Sequence, residues 1–186
     1  TVGISDSVLF TIKSNKTYRK RGQKIKVPIL LLNRSHSSYI LYAFFEINEG
    51  STTIESYCNG NKTAETAIIL EGNGKQMFGS FPFYDDFKSS MTREDLINAH
   101  KKIMQSFIDK KLVLPPKDTV SFKLTLSLEH FVDLSPGIYE LSLIYYCGNN
   151  LDNMVPPDQQ EADCKKYNAM VYKSCLVTNK IKLEVK

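Results

Sequence analysis

The chain has 186 residues, 42% of them apolar and 24% charged, with 9 Gly, 7 Pro and a net charge of +4. That length fits one domain, and that composition excludes a disordered or low-complexity chain. No apolar run reaches the roughly 18 residues that a membrane-spanning helix requires.

Val8, Phe10 and Ile12 suggest a first strand. Residues 14–22 read as a polar, basic turn. Ile25, Val27, Ile29 and Leu31 then alternate, with Leu30 and Leu32 on the other face, which predicts a central strand covered on both sides. After a turn over 33–38, Tyr39, Leu41, Ala43, Phe45 and Ile47 form a further alternating set, closed by Asn48-Glu49-Gly50. Residues 52–57 are expected to pair back on it. Ala67 to Leu70 is a short apolar run before the Glu71-Gly72-Asn73-Gly74 turn.

Residues 92–111 change the period. Leu96, Ile97, His100, Ile103, Met104, Phe107 and Ile108 recur at spacings of three and four, one apolar stripe on a helix of about five turns. Thr92 is a candidate N-cap with Asp95 three residues on, and Pro115-Pro116 ends the segment. Leu96, Ile103 and Phe107 are expected to be buried against a sheet.

The plainest signal lies between 118 and 146. Val120, Phe122, Leu124, Leu126 and Leu128 alternate with small or charged residues. Pro136-Gly137 leads into a second strand with Tyr139, Leu141, Leu143 and Tyr145 on one side. Residues 148–166 read as a long polar loop. Strands follow over 170–177 and 180–185, the latter with Ile181, Leu183 and Val185 inward. The chain is thus mainly β, an antiparallel β-sandwich with one inserted amphipathic helix at about 92–111. It forms a single domain over 1–186, with the helical insertion spanning 85–116.

Lys13, Lys16, Arg19, Lys20, Arg21, Lys24 and Lys26 lie in one window without an acid. The window reads as a solvated loop and strand edge guarded by lysine, or as a site for an anionic polymer or membrane surface. Cys58, Cys147, Cys164 and Cys175 show no C-x-x-C spacing, and with His36, His100 and His130 scattered no zinc site is expected. Unclustered cysteines in even number fit two disulfides in an oxidising compartment, or four reduced thiols.

Pro136-Gly137-Ile138-Tyr139 with the following E-L-S-L-I-Y-Y resembles the P-G-x-Y strand of immunoglobulin-like domains in secreted bacterial proteins, lipoproteins among them. The run V-Y-K-S-C-L-V-T-N-K-I-K-L-E-V over 171–185 resembles their closing strand, and the strand before the Asn33-Arg34-Ser35 turn fits an earlier part. The resemblance covers the strands and not the helix. It implies an immunoglobulin-like sandwich, secreted or at the cell surface or periplasm, and a tyrosine-corner role for Tyr139. It implies no activity of its own. An immunoglobulin-like chain path also implies the pairs Cys147–Cys175 and Cys58–Cys164, with Cys147–Cys164 as the rival.

Chemistry-bearing patterns are sparse. Phe78, Phe81, Phe83, Tyr84 and Phe87 form an aromatic cluster that reads as packing for the helix, or as a stacking platform. Asp152, Asp158, Glu161 and Asp163 lack the spacing of a calcium loop. Glu129, His130 and Asp133 lack a nucleophile motif. Asn15-Lys16-Thr17, Asn33-Arg34-Ser35 and Asn61-Lys62-Thr63 match the glycan acceptor pattern. The expectation is a non-catalytic extracytoplasmic binding or structural module without cofactor. Its partner would be a protein or glycan rather than a nucleic acid, met by the 148–166 loop. The alternative is a protease inhibitor presenting 151–157, where Met154 precedes Val155-Pro156-Pro157, as an extended loop.

Overall fold

Strands with the cleanest period-two alternation pair with one another. The computed structural model describes residues 7–18, 23–45, 47–48, 64–72, 75–77, 92–128, 131 and 134–186. In it β1 (Val8–Ile12), β3 (Lys24–Asn33) and β9 (Thr119–Ser127) form an antiparallel sheet in the order β1-β3-β9. Phe10, Ile12, Val27, Ile29, Leu31, Leu124 and Leu126 point into the core. β3 is central, but only one of its faces is covered. Lys24 and Lys26 are exposed and Leu30 and Leu32 half-buried, because this sheet turns its second face to solvent.

A second sheet runs β2 (Lys16–Tyr18), β13 (Ile181–Val185), β10 (Gly137–Cys147), β6 (Ala64–Gly72) and β5 (Ile47–Asn48). β12 (Cys175–Val177) also pairs with β10, and β7 (Lys75–Met77) with β6. β10 is antiparallel to β6, β12 and β13. Leu141, Leu143 and Tyr145 of β10 face the main core, while Ile144 joins Ala67, Ile69 and Cys175 in a small cluster on the opposite face. A third sheet, β11 (Ala169–Val171), β4 (Ser38–Leu41) and β8 (Leu112–Leu114), runs in that order. The architecture is mainly β with mostly antiparallel pairing, and the two larger sheets share one core, consistent with a β-sandwich.

The expected strand from Tyr39 to Ile47 stops at Leu41. Residues 42–45 form a turn in which Ala43 takes φ 51°, a left-handed conformation that no strand continues through. The turn swings Phe44 rather than Phe45 into the core. Its ring meets Phe10, Phe122 and Tyr145 at centroid distances of 5.5, 5.6 and 5.3 Å.

The 92–111 helix forms as α1 (Arg93–Asp109). Thr92 and Asp95 close a capping box: the Asp95 N–H donates to Thr92 Oγ1 at 3.2 Å, and the Thr92 N–H to Asp95 Oδ2 at 2.9 Å. The Thr92 hydroxyl, donating to Asp95 Oδ2 at 2.7 Å, and then the Thr92 N–H hold the Asp95 carboxyl below its usual value. The helix is not buried where its stripe predicts. Leu96, Ile97 and Ile103 are 45%, 47% and 43% exposed, and only half-buried Phe107 and Ile108, near its end, pack on the core. Among the described residues no helix is long and apolar enough to cross a membrane.

The expected polar loop over 148–166 is helical instead. A 3-10 turn (Asn149–Asn153) leads into α2 (Pro157–Tyr167). Leu151 and Val155 are fully buried, so 151–157 is not an extended loop open to a protease cleft.

Both expected cysteine pairs are absent: Cys147 and Cys164 are free thiols. Cys175 is disulfide-bonded, with neither of them as partner. The strand pairing behind the Cys147–Cys175 expectation is present, but Cys175 lies opposite Tyr146. That one-residue offset puts Cys175 on the outer face and Cys147 on the core face. Cys58 lies outside the described residues, as do residues 52–57, the aromatic cluster over 78–87, Glu129, His130, Asp133 and the Asn61 acceptor pattern.

Candidate functional site

Two side chains rigidify the end of the molecule where the third sheet sits. The first is Asn33, fully buried at the end of β3. Its Nδ2 donates to the carbonyls of Ser37 (2.8 Å), Leu114 (3.2 Å) and Pro115 (2.8 Å). Its Oδ1 accepts from Ser35 N–H at 2.9 Å and Ser35 O–H at 2.8 Å. These bonds fix the 35–37 bend against the end of β8. They also remove Asn33 from the glycan acceptors, because its nitrogen is buried and engaged. Asn15 is exposed, and its Oδ1 accepts from Lys182 N–H at 2.9 Å.

The second is Asp163 of α2, 3% exposed. Lys111 Nζ, in the joint between α1 and β8, lies 3.0 and 2.9 Å from its two oxygens. Tyr42 O–H donates to Oδ2 at 2.7 Å. Burial acts to raise the Asp163 carboxyl, but hydrogen bonds from Lys111, Tyr42 and Gln159 outweigh it and hold it below its usual value. The Tyr42 hydroxyl is pushed well up by burial and by the adjacent carboxylate, so it stays a donor. Tyr145 O–H donates to the Tyr42 carbonyl at 3.1 Å and extends the network into the core. Beside it the Cys147 thiol is pushed up to about 11 by burial. It is a protonated, sequestered group.

α2 carries ordinary helix signals. Pro157 stands at its start, Asp158 in the first turn, Lys165 and Lys166 in the last. Asn168 ends it in the left-handed region at φ 45°. Its polar buried residue Gln160 donates to Asp152 Oδ1 at 2.8 Å and to the Val155 carbonyl at 2.7 Å. Of the acidic set, Asp163 is buried and Asp152, itself exposed, accepts from buried Gln160, while Glu161 pairs with Lys165 on the surface. Among the described residues no group of three His, Cys, Asp or Glu gathers to hold a metal.

Between the two braced segments lies an open cleft of about 290 Å³. His36, Ser37 and Ser38 line it from one side, and Cys164, Asn168 and Met170 from the other. It offers hydroxyl and amide donors and acceptors, a thiol, an imidazole and one thioether. Its volume suits one side chain or one sugar ring better than a large cofactor. Cys164 and His36 stood 128 residues apart without a motif to join them. The only sequence signal for the site was the Pro157-to-Asn168 helix grammar.

The Tyr139 hydroxyl donates to the Ser135 carbonyl at 2.8 Å, the local bond implied for a tyrosine corner.

No protein-family model and no curated protein matches the chain. Among solved structures it is similar to AvmM, which catalyses macrocyclization in alchivemycin A biosynthesis. That likeness has TM-score 0.35 and 9% identity, over 98% of this chain and 90% of that one. It is also similar to a chain of a type I cohesin–dockerin complex from Clostridium thermocellum. There the TM-score is 0.25 with 12% identity, over 97% of this chain and 100% of that one. Both superpositions are too loose to carry an argument about fold family or activity.

Proposed function

We propose that the protein is a non-catalytic binding module, an immunoglobulin-like sandwich with α1 as its insertion, working outside the cytoplasm. Its ligand is a protein or glycan group seated in the cleft between the 35–38 bend and the end of α2. The observation that carries this is the bracing of both walls. Asn33 holds one wall by five hydrogen bonds and Asp163 ties down the other, so the cleft is organised before any ligand arrives. The disulfide on Cys175 supports an oxidising compartment. The Tyr139–Ser135 bond supports the immunoglobulin-like reading. Peptide and glycan arrays probed with the wild type and with Ser38→Trp test the site. A ligand bound by the wild type should be lost when Trp fills the cleft. Equal binding by both sinks the cleft assignment.

A second reading, an enzyme using thiol chemistry, rests on the presence of Cys164 and His36 in one cleft. Iodoacetamide labelling of Cys164 separates the two. Labelling that is fast near neutral pH and slow in His36→Ala favours the enzyme. Labelling indifferent to His36 favours the binding module.

A further inference from the structure

The outer face of the first sheet joins Lys13, Lys24 and Lys26 of the basic window to Lys123 from a distant strand. Lys13 N–H donates to the Pro28 carbonyl at 3.1 Å, and Pro28 pairs with Lys123. Lys13, Pro28 and Lys123 therefore form one row across β1, β3 and β9. Lys26 and Lys24 follow Pro28 along β3 in steps of two, on the same face. The row places Lys13 and Lys123 about 10 Å apart, and each step along β3 adds about 7 Å. All four lysines are exposed. None has a carboxylate partner among the described residues. β1, β3 and β9 contain no Asp or Glu at all. Beyond the lysines, the same face continues into Leu30, Leu32 and Leu9, the last 39% exposed.

Protection of a sheet edge accounts for these lysines one at a time, but not for the absence of any Asp or Glu from the three strands that carry them. Lys24 and Lys26 lie beyond the reach of β1, whose pairing ends at Ile29, so β3 is paired there with β9 alone. A single-stranded nucleic acid would need aromatic platforms, and β1, β3 and β9 place none on this face among the described residues. The layout is two-dimensional rather than a stripe, and it mixes ammonium groups with leucines on a flat surface.

We propose that this face docks on an anionic lipid surface. The lysines meet the headgroup charge and Leu9 touches the boundary beneath it. The test is co-sedimentation with phosphatidylcholine vesicles, with and without phosphatidylserine, at low and high salt. The chain should partition to the phosphatidylserine vesicles alone and release as salt rises. Removing one lysine should weaken partitioning about fivefold, so Lys26→Gln/Lys123→Gln should lose about 25-fold. Lys101→Gln/Lys102→Gln, exposed on α1, should bind as the wild type does. Thermal melts of each variant establish that the outward substitutions leave the fold intact. Leu9→Ser should weaken vesicle binding and leave heparin binding unchanged. Equal binding to both vesicle types, or full binding by the double Lys26/Lys123 variant, overturns the proposal. Binding to heparin with the same lysine dependence but none to vesicles also overturns it, and makes the face a polyanion site.

Discussion

The two helices invert the usual link between pattern and burial. α1 has a continuous apolar stripe, a capping box and seventeen residues, yet none of its side chains is buried. α2 is polar, with no stripe to show which way it faces, yet it buries Gln160 and Asp163. Periodicity states which face of a helix would be apolar. It does not state whether the chain brings that face to a core. Hydrogen-bonding geometry does the second job for α2. Its carboxylate has three specific partners at fixed positions, and those partners come from the turn after β4, the joint before β8 and α2 itself.

Deleting the charge of Asp163 should therefore have the largest effect. Asp163→Asn leaves the Lys111 ammonium without its counter-charge at a site where its side chain is 14% exposed. Breaking a buried pair costs about 3–5 kcal/mol, and the residual exposure of Lys111 places this change near 3. Urea denaturation would measure it. Asp163→Asn/Lys111→Met should recover most of the loss, because no uncompensated charge remains. A double variant no more stable than the single one would show that packing of α2, not the ion pair, holds it.

The acid limb of the stability profile sharpens the same point. The folded Asp163 carboxyl lies below its unfolded value, so its contribution is present above about pH 4. It is lost as pH falls through the folded value. Wild-type urea midpoints should drop across that window, and Asp163→Asn should drop less. Parallel profiles would remove Asp163 from the acid response.

What the sequence made legible followed from alternation. β1, β3, β9, β10 and β13 all appear where Val, Ile, Leu, Phe or Tyr recur at every second residue. Their inward faces were right as well, down to Ile181, Leu183 and Val185. The misses arose where a single residue decides. Ala43 at positive φ ended a strand that its neighbours would have continued. A one-residue offset between β10 and β12 separated two cysteines that strand adjacency alone would have joined. The cleft was illegible for a different reason. Its His36 and Cys164 come from distant segments, and only the tertiary path of Asn33 and Asp163 brings their walls together.

Gln160→Ala tests the polar helix at lower energy. It removes donors to Asp152 and to the Val155 carbonyl, and leaves that buried carbonyl without this partner. The expected cost is about 1–3 kcal/mol, read from the thermal midpoint. Phe107→Ala comes next at about 1–2 kcal/mol, below the cost for a fully buried Phe, since Phe107 is only half-buried against the core.

Leu96→Ser should have the smallest effect. Leu96 lies in the first turn of α1 with 45% of its surface exposed, and the capping box beneath it does not involve its side chain. Surface changes of this kind stay within about 0.5 kcal/mol. Serine costs little as a helix former there, since the turn is already nucleated by Thr92 and Asp95. Chemical denaturation of Leu96→Ser beside Phe107→Ala then locates the anchor of α1. An unchanged midpoint for the first and a lowered one for the second means that the helix is fastened by its last turn. A loss above about 1 kcal/mol at Leu96 means that its stripe is covered in solution.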